Sequence, residues 1–230
     1  AAAAAAAGRG DLQNRDGGVP TFCRGWGRLP FDRSCPDITA HTVRALAAWQ
    51  DRLDPATARR VRHFIPRALT YLARAQRPDG AWLPLWFGNQ WQADGANDVY
   101  GTAQVVAVLG GVVPDDPGLA RGLAFLAAAQ NTDGGWGRDV AGRSTVEETA
   151  LAVSALAGSP AHDAAEQGAA WLCRRAAAGD LAPAPSGLYF ASLWYAERLY
   201  PVVFAVTALG RVLAARAAAS PGRAEHAEAR

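Results

Sequence analysis

The sequence predicts an all-α protein, a partial α/α toroid built from repeated pairs of inner and outer helices, and three observations carry that expectation. One segment recurs three times, as Ile38-Thr-Ala-His-Thr-Val-Arg-Ala-Leu46, Gly101-Thr-Ala-Gln-Val-Val-Ala-Val-Leu109 and Glu148-Thr-Ala-Leu-Ala-Val-Ser-Ala-Leu156. Small and β-branched apolar residues cover nearly every face of it, the composition of a helix enclosed by others. Longer amphipathic segments lie between and after these copies, at residues 58–76, 117–130 and 163–175, with Arg and Gln on one side and Leu, Phe and Tyr on the other. These read as outer helices. A short device also recurs: Gln13-Asn-Arg-Asp16-Gly17-Gly-Val19, Gln76-Arg-Pro-Asp79-Gly80-Ala-Trp82 and Gln130-Asn-Thr-Asp133-Gly134-Gly-Trp136. Repetition on this scale is the signature of a repeat architecture.

Along the chain, residues 1–10 are an Ala-rich, low-complexity start without an initiating Met, and they read as a truncation point. Residues 11–214 hold the repeats, and 215–230 read as a tail. In each device the glycines permit a tight turn past a helix end, and the Asp bonds backbone amides as turn formers do. The Gln is expected to bond the open carbonyls of the preceding helix, with its amide plane on the indole. About seven helices are legible, whereas a closed double ring of this kind uses twelve. The chain therefore reads as part of a barrel.

Half of the 230 residues are apolar and 19% are charged, which describes a folded chain with a real core. The net charge is +2, with the positive residues all Arg and no Lys. That even balance leaves no footprint for nucleic acid. No run of about 18 uninterrupted apolar residues occurs, so no transmembrane helix is expected. The Ala1–Ala7 run has no basic region ahead of it, unlike a secretory signal. Cys23, Cys35 and Cys173 are odd in number and far apart, which fits a reduced, cytoplasmic setting.

The Gln-x-x-Asp-Gly-x-Trp device, repeated before inner helices, resembles the signature of class II triterpene cyclases, above all squalene-hopene cyclase. The likeness runs from about Gln13 to Arg211, through Cys35-Pro-Asp37-Ile-Thr-Ala-His41, Asn97-Asp-Val-Tyr100-Gly-Thr102, Ser144-Thr-Val-Glu-Glu-Thr149 and Ala208-Leu-Gly-Arg211. It implies an enzyme that protonates a squalene-like polyene and lets the cation cyclise in a dry cavity lined by aromatic rings. Neither metal nor organic cofactor is implied. The family's acid is the middle Asp of an Asp-x-Asp-Asp motif, and these 230 residues contain none. Asp115-Asp116, between two prolines, reads as a solvated turn. The missing acid is expected in an N-terminal toroid portion encoded by the same gene.

The acid's supporting residues are present. Asp37 and His41, four apart on one helical face, match the stretch whose His bonds the catalytic Asp. They read as an acid-tuning pair, in which a charged His strengthens the acid and Asp37 orients the imidazole. The alternative is that Asp37 caps its helix and His41 is a packed core residue. For the cavity, the resemblance points to Trp86 or Trp91 in the loop after Trp82, to Tyr100 at the repeat position of Asp37, and to Tyr189, Phe190, Trp194, Tyr195 and Tyr200 near the end. Phe64, Tyr71, Phe125 and Trp171 on the outer helices read as core. The resemblance also implies peripheral attachment to a membrane surface, on the cytoplasmic side. Two rival readings stand beside it. One is a non-catalytic toroid that binds isoprenoids or lipid, or a subunit. The other is a zinc-dependent prenyltransferase β-like subunit using Asp32, Cys35 and His41, which still needs a second His, from His63 or His162.

Overall fold

The structure, a computed structural model, describes residues 12–24, 32–90, 92, 94–137, 142–188 and 193–220. Seven α-helices occur among the described residues: α1 (Pro36–Trp49), α2 (Pro55–Ala75), α3 (Asp98–Val112), α4 (Pro117–Ala128), α5 (Val146–Leu156), α6 (His162–Ala177) and α7 (Tyr200–Ala219). Two small antiparallel pairs accompany them, β1 (Trp136–Gly137) with β2 (Ser144–Thr145) and β3 (Ser186–Leu188) with β4 (Leu193–Tyr195). The last helix continues to Ala219, beyond the boundary expected at 214.

The chain divides into two compact units. One comprises Ala1–Phe125 with Ser186–Tyr195, the other Leu126–Pro185 with Ala196–Arg230. In the first, inner helices α1 and α3 pack side by side, and α2 lies against α1. In the second, α5 packs against α6 and most extensively against α7. The inner helices are sealed as their composition demands: Ala40, Val43, Ala103, Val105, Val106, Ala150, Ala152 and Val153 are all buried. By length and apolarity alone α7 is able to cross a membrane. Its arginines instead tie it to the unit's other helices, Arg211 to the Ser154 carbonyl and Arg216 to the Glu166 carboxylate.

The recurring device is a three-way joint, and its geometry corrects the expected role of the glutamine. Gln76 Nε2 donates to its own turn at Gly80 O and to Gly118 O in the next outer helix, both at 2.9 Å. Gln130 does the same with Gly134 O and Ala164 O, and Gln13 with Gly17 O and Phe64 O. The amide therefore reaches forward to the following outer helix, not back to the preceding one. The carbonyl near the end of the preceding helix goes to the indole: Trp82 Nε1 donates to Leu72 O at 2.8 Å and Trp136 Nε1 to Leu126 O at 2.7 Å. The amide nitrogen at the seventh residue, Val19, Trp82 or Trp136, donates at 2.9 Å to a threonine of the inner helix, Thr39, Thr102 or Thr149. All three threonines are wholly buried.

Close packing selects the glycines. Gly17, Gly80 and Gly134 have φ near +90°, and a Cβ at Gly80 would lie 2.5 Å from Arg121 O. Gly122 on α4 and Gly168 on α6 face the indoles, where a Cβ would stand 2.8 Å from Trp82 Cζ3 and 2.6 Å from Trp136 Cζ3. The first copy carries the smaller Val19 in place of Trp, and the equivalent outer-helix position is Ala68. Trp171, expected as core, also serves the third joint by donating to Asp133 Oδ2 at 2.9 Å.

Candidate active site

The start of α1 holds the group singled out from the sequence. Cys35 is the N-cap residue without a capping side-chain bond, Pro36 opens the helix with its fixed φ, and Asp37 follows inside the first turn. Asp37 is therefore not the cap. It is 2% exposed, and its Oδ1 accepts the Cys35 thiol at 2.6 Å. The same sulfur accepts the Leu85 amide at 3.2 Å, which ties the loop after Trp82 to the head of α1. Burial, and then the Asp37 charge, push the Cys35 thiol well above its ordinary pKa, so it stays a thiol. Tyr71 on α2 is also pushed up, by burial first and then by the charges of Asp16 and Asp37.

His41 stands one turn further on, half-buried, with Nδ1 3.2 Å from Arg44 NH2. A guanidinium has only donors, so Nδ1 is the acceptor and a neutral ring carries its proton on Nε2. Burial and the Arg44 charge lower the His41 pKa, against the pull of Asp37. Within this chain the pair thus differs from the expected form. Asp37 acts on His41 through charge while its Oδ1 holds Cys35, and the imidazole is biased toward its neutral form with Nε2–H available.

The aromatic residues fall into separate groups. Trp86 is buried and meets Phe22 edge-on at 5.5 Å, while Phe22 itself is 69% exposed. Tyr100, at the head of α3, lies 4.9 Å from the Phe87 ring. The Gly88 amide donates to Gly187 O at 2.9 Å, bringing the 82–90 loop to the β3–β4 hairpin in the same unit. That hairpin carries Trp194 opposite Gly187 and Tyr195 opposite Ser186, with Tyr195 exposed. In the other unit, Tyr200 stacks on Phe204 at 5.4 Å. Trp91, Tyr189 and Phe190 lie outside the described residues. A groove of about 430 Å³ lies elsewhere, between the end of α5, the start of α6 and the last turns of α7, and none of the expected cavity residues borders it.

Asp116 Oδ1 accepts the Gly118 amide at 2.7 Å, a structural turn at the start of α4. For the zinc reading, His63 and His162 are exposed, and no three of His, Cys, Asp and Glu converge as a metal site among the described residues.

Sequence reasoning passed over Glu147. It stands two residues before Thr149, the register of Asp37 before Thr39 and Tyr100 before Thr102, and that alignment was the signal available. Glu147 is 9% exposed, and its Oε1 accepts the Ala184 amide at 2.9 Å. Burial pushes its pKa up, partly offset by the amides of Ala184 and of Glu147 itself.

Comparison with known proteins agrees with this architecture. The family model described as squalene-hopene cyclase C-terminal domain matches residues 27–214. A squalene–hopene cyclase of Bradyrhizobium diazoefficiens is 34% identical over 157 residues, covering 62% of this chain and 22% of that protein. A drimenyl diphosphate synthase of Streptomyces showdoensis is 37% identical over 156 residues, 65% of this chain and 25% of that protein. The solved ent-copalyl diphosphate synthase of Streptomyces platensis superposes with a TM-score of 0.62 at 26% identity, covering 87% of this chain and 36% of that one. The chain thus spans about a quarter or less of the length of these two curated relatives. With its α/α toroid helices, its repeated joints and this match over most of its length, the chain belongs to the squalene-hopene cyclase C-terminal domain family of class II terpene cyclases.

Proposed function

We propose that the chain is part of a proton-initiated cyclase that closes a squalene-like polyene into a polycyclic triterpene. The observation that carries this is the buried Asp37, one turn before a His41 whose Nδ1 accepts from Arg44, which puts the proton of the neutral ring on Nε2. In this reading the initiating Asp comes from an N-terminal toroid portion of the same gene. His41 donates Nε2–H to that acid, which stabilises the carboxylate left after proton transfer and so strengthens the donor. Cys35 fixes Asp37, and Asp37 biases the imidazole. Trp86, Tyr100 and the hairpin aromatics present ring faces that lower the energy of passing cations. No metal or cofactor enters the reaction. Hydrocarbon substrate reaches the enzyme from a membrane surface to which it is peripherally attached on the cytoplasmic side.

A second substrate class is favoured by the relatives named diphosphate synthases, to which this chain is 37% and 26% identical. In that reading the polyene carries a diphosphate. The assay supplies squalene and, in parallel, C15 and C20 prenyl diphosphates, with products read by gas chromatography and mass spectrometry. The protein as its gene encodes it is expected to give cyclic product from one of them. The 230 residues alone are expected to give none. Cyclic product from the isolated 230 residues, or full activity in D37N and H41A variants of the whole protein, overturns the proposal. Binding of polyene without turnover transfers the fold to the non-catalytic, isoprenoid-binding reading.

A further inference from the structure

One sulfur atom links the aromatic loop of the first unit to the head of α1. The 82–90 loop is held there at two backbone amides. Leu85 N–H donates to Cys35 Sγ at 3.2 Å, and Gly88 N–H donates to Gly187 O at 2.9 Å. Between these two bonds stand Trp86 and Phe87, whose rings meet Phe22 and Tyr100. The sulfur that receives the loop gives its own proton away, to Asp37 Oδ1 at 2.6 Å. Cys35 is wholly buried and Asp37 is 2% exposed, so solvent does not compete for the bond between them. Burial also keeps the sulfur protonated, as a donor must be.

Resting on the cyclase reading above, we infer that Cys35 and the Leu85 amide are positioning groups that couple the aromatic loop to the acid-tuning pair. Hydrogen bonds in a chain polarise one another, so a sulfur that accepts an N–H becomes the better S–H donor. Seating the loop therefore strengthens the hold on Asp37, whose charge acts on His41 one turn further along α1. Loss of the seat loosens it. The acid is then fully supported only when Trp86 and Phe87 are in place to receive the cation it makes. In this role neither group needs to touch the substrate: the amide acts through the sulfur, and the sulfur through Asp37. A Ser at position 35 is able to make both bonds, whereas an Ala makes neither.

Two measurements on the protein as its gene encodes it read the coupling. Infrared difference spectra between wild type and C35A isolate the Cys35 S–H stretch. It is expected at lower frequency than the stretches of the exposed Cys23 and Cys173, and to move back toward them in L85P, which removes the amide proton. Kinetics then supply a double-mutant cycle. C35A is expected to lower kcat about tenfold at unchanged KM, the effect of losing one hydrogen bond to a charged group, and C35S to recover most of that loss. L85P is expected to lower kcat less, and the C35A/L85P double variant to match C35A, because the amide acts only through the sulfur. Thermal melting checks each fold. If L85P is unfolded at the assay temperature, the α-hydroxy analogue of leucine is placed at position 85, an ester that lacks only the N–H. An S–H stretch unmoved by loss of the Leu85 proton, or kcat losses that multiply in the double variant, overturns the coupling and leaves the cyclase reading standing. A stretch that moves as expected, in a wild-type protein that forms no cyclic product from any polyene, overturns the cyclase reading and the positioning role with it.

Discussion

Replacing Thr149 with Val tests whether the joints hold the repeats together. Val has nearly the shape of Thr, so packing is preserved and only the hydroxyl is lost. That hydroxyl accepts the Trp136 amide at 2.9 Å and donates to the Trp136 carbonyl at 3.2 Å, with both residues sealed from solvent. The variant strands a buried N–H, at about 1–3 kcal/mol, and loses a second, weaker bond worth roughly 0.5–1 kcal/mol. A total of about 2–3 kcal/mol corresponds to a fall in Tm of roughly 5–10 °C for a chain of this size. The same substitution at Thr207 is the control. Thr207 opens the Thr-Ala pair of α7, but it is exposed and its hydroxyl returns to Val203 O within its own helix. T207V is expected to shift stability by about 0.5 kcal/mol or less. Calorimetric melts, with amide exchange at Trp136 as the local readout, decide it. Equal shifts in the two variants, or an unchanged Trp136 exchange rate in T149V, refute the idea that this threonine carries the joint.

Two other perturbations follow from the same geometry. Gly80→Ala places a Cβ 2.5 Å from Arg121 O at φ +94°, and a loss of about 2–4 kcal/mol is expected in urea melts. A loss under about 0.5 kcal/mol shows that the turn relaxes. The second concerns pH. Glu147 has a folded pKa raised above its unfolded value, so the folded state binds the proton more tightly and stability falls as pH climbs from the unfolded value through the folded one. E147Q removes that penalty and is expected to melt higher than wild type near neutral pH, while the two converge at acid pH. A lower melting temperature for E147Q at neutral pH contradicts it.

The architecture was legible because each joint needs the same residue types at the same places. Gln, Asp, Gly and Trp recur in order, and the Thr-Ala of each inner helix repeats with them. The direction of the glutamine bond was not legible, because a helix carbonyl behind and one ahead are equally good acceptors on paper. Only the packed distance between successive outer helices decides it. The bonding of Cys35 was not legible for a similar reason: its contact with the Leu85 amide depends on how a loop 50 residues away returns to α1. Arg44, three residues past His41, was within reach of helical periodicity, and its guanidinium decides which ring nitrogen accepts. Glu147 stood inside the Ser144-Thr-Val-Glu-Glu-Thr149 block without being singled out, although its register with Asp37 was there to read.

The joints separate what is fixed in this fold from what is free to diverge. From device glutamine to inner-helix threonine the chain runs 26 residues in the first two copies and 19 in the third, yet each copy ends in the same bond at 2.9 Å. A segment anchored at both ends by identical bonds is able to lengthen, shorten or change composition without disturbing any helix. The segments between Val19 and α1 and between Trp82 and α3 hold Phe22, Trp86 and Phe87, so aromatic content varies there at little cost to the scaffold. Evolution of a new product in such a toroid is then a matter of exchanging loop cassettes between invariant clasps, and a library confined to those cassettes explores chemistry while keeping the helices intact.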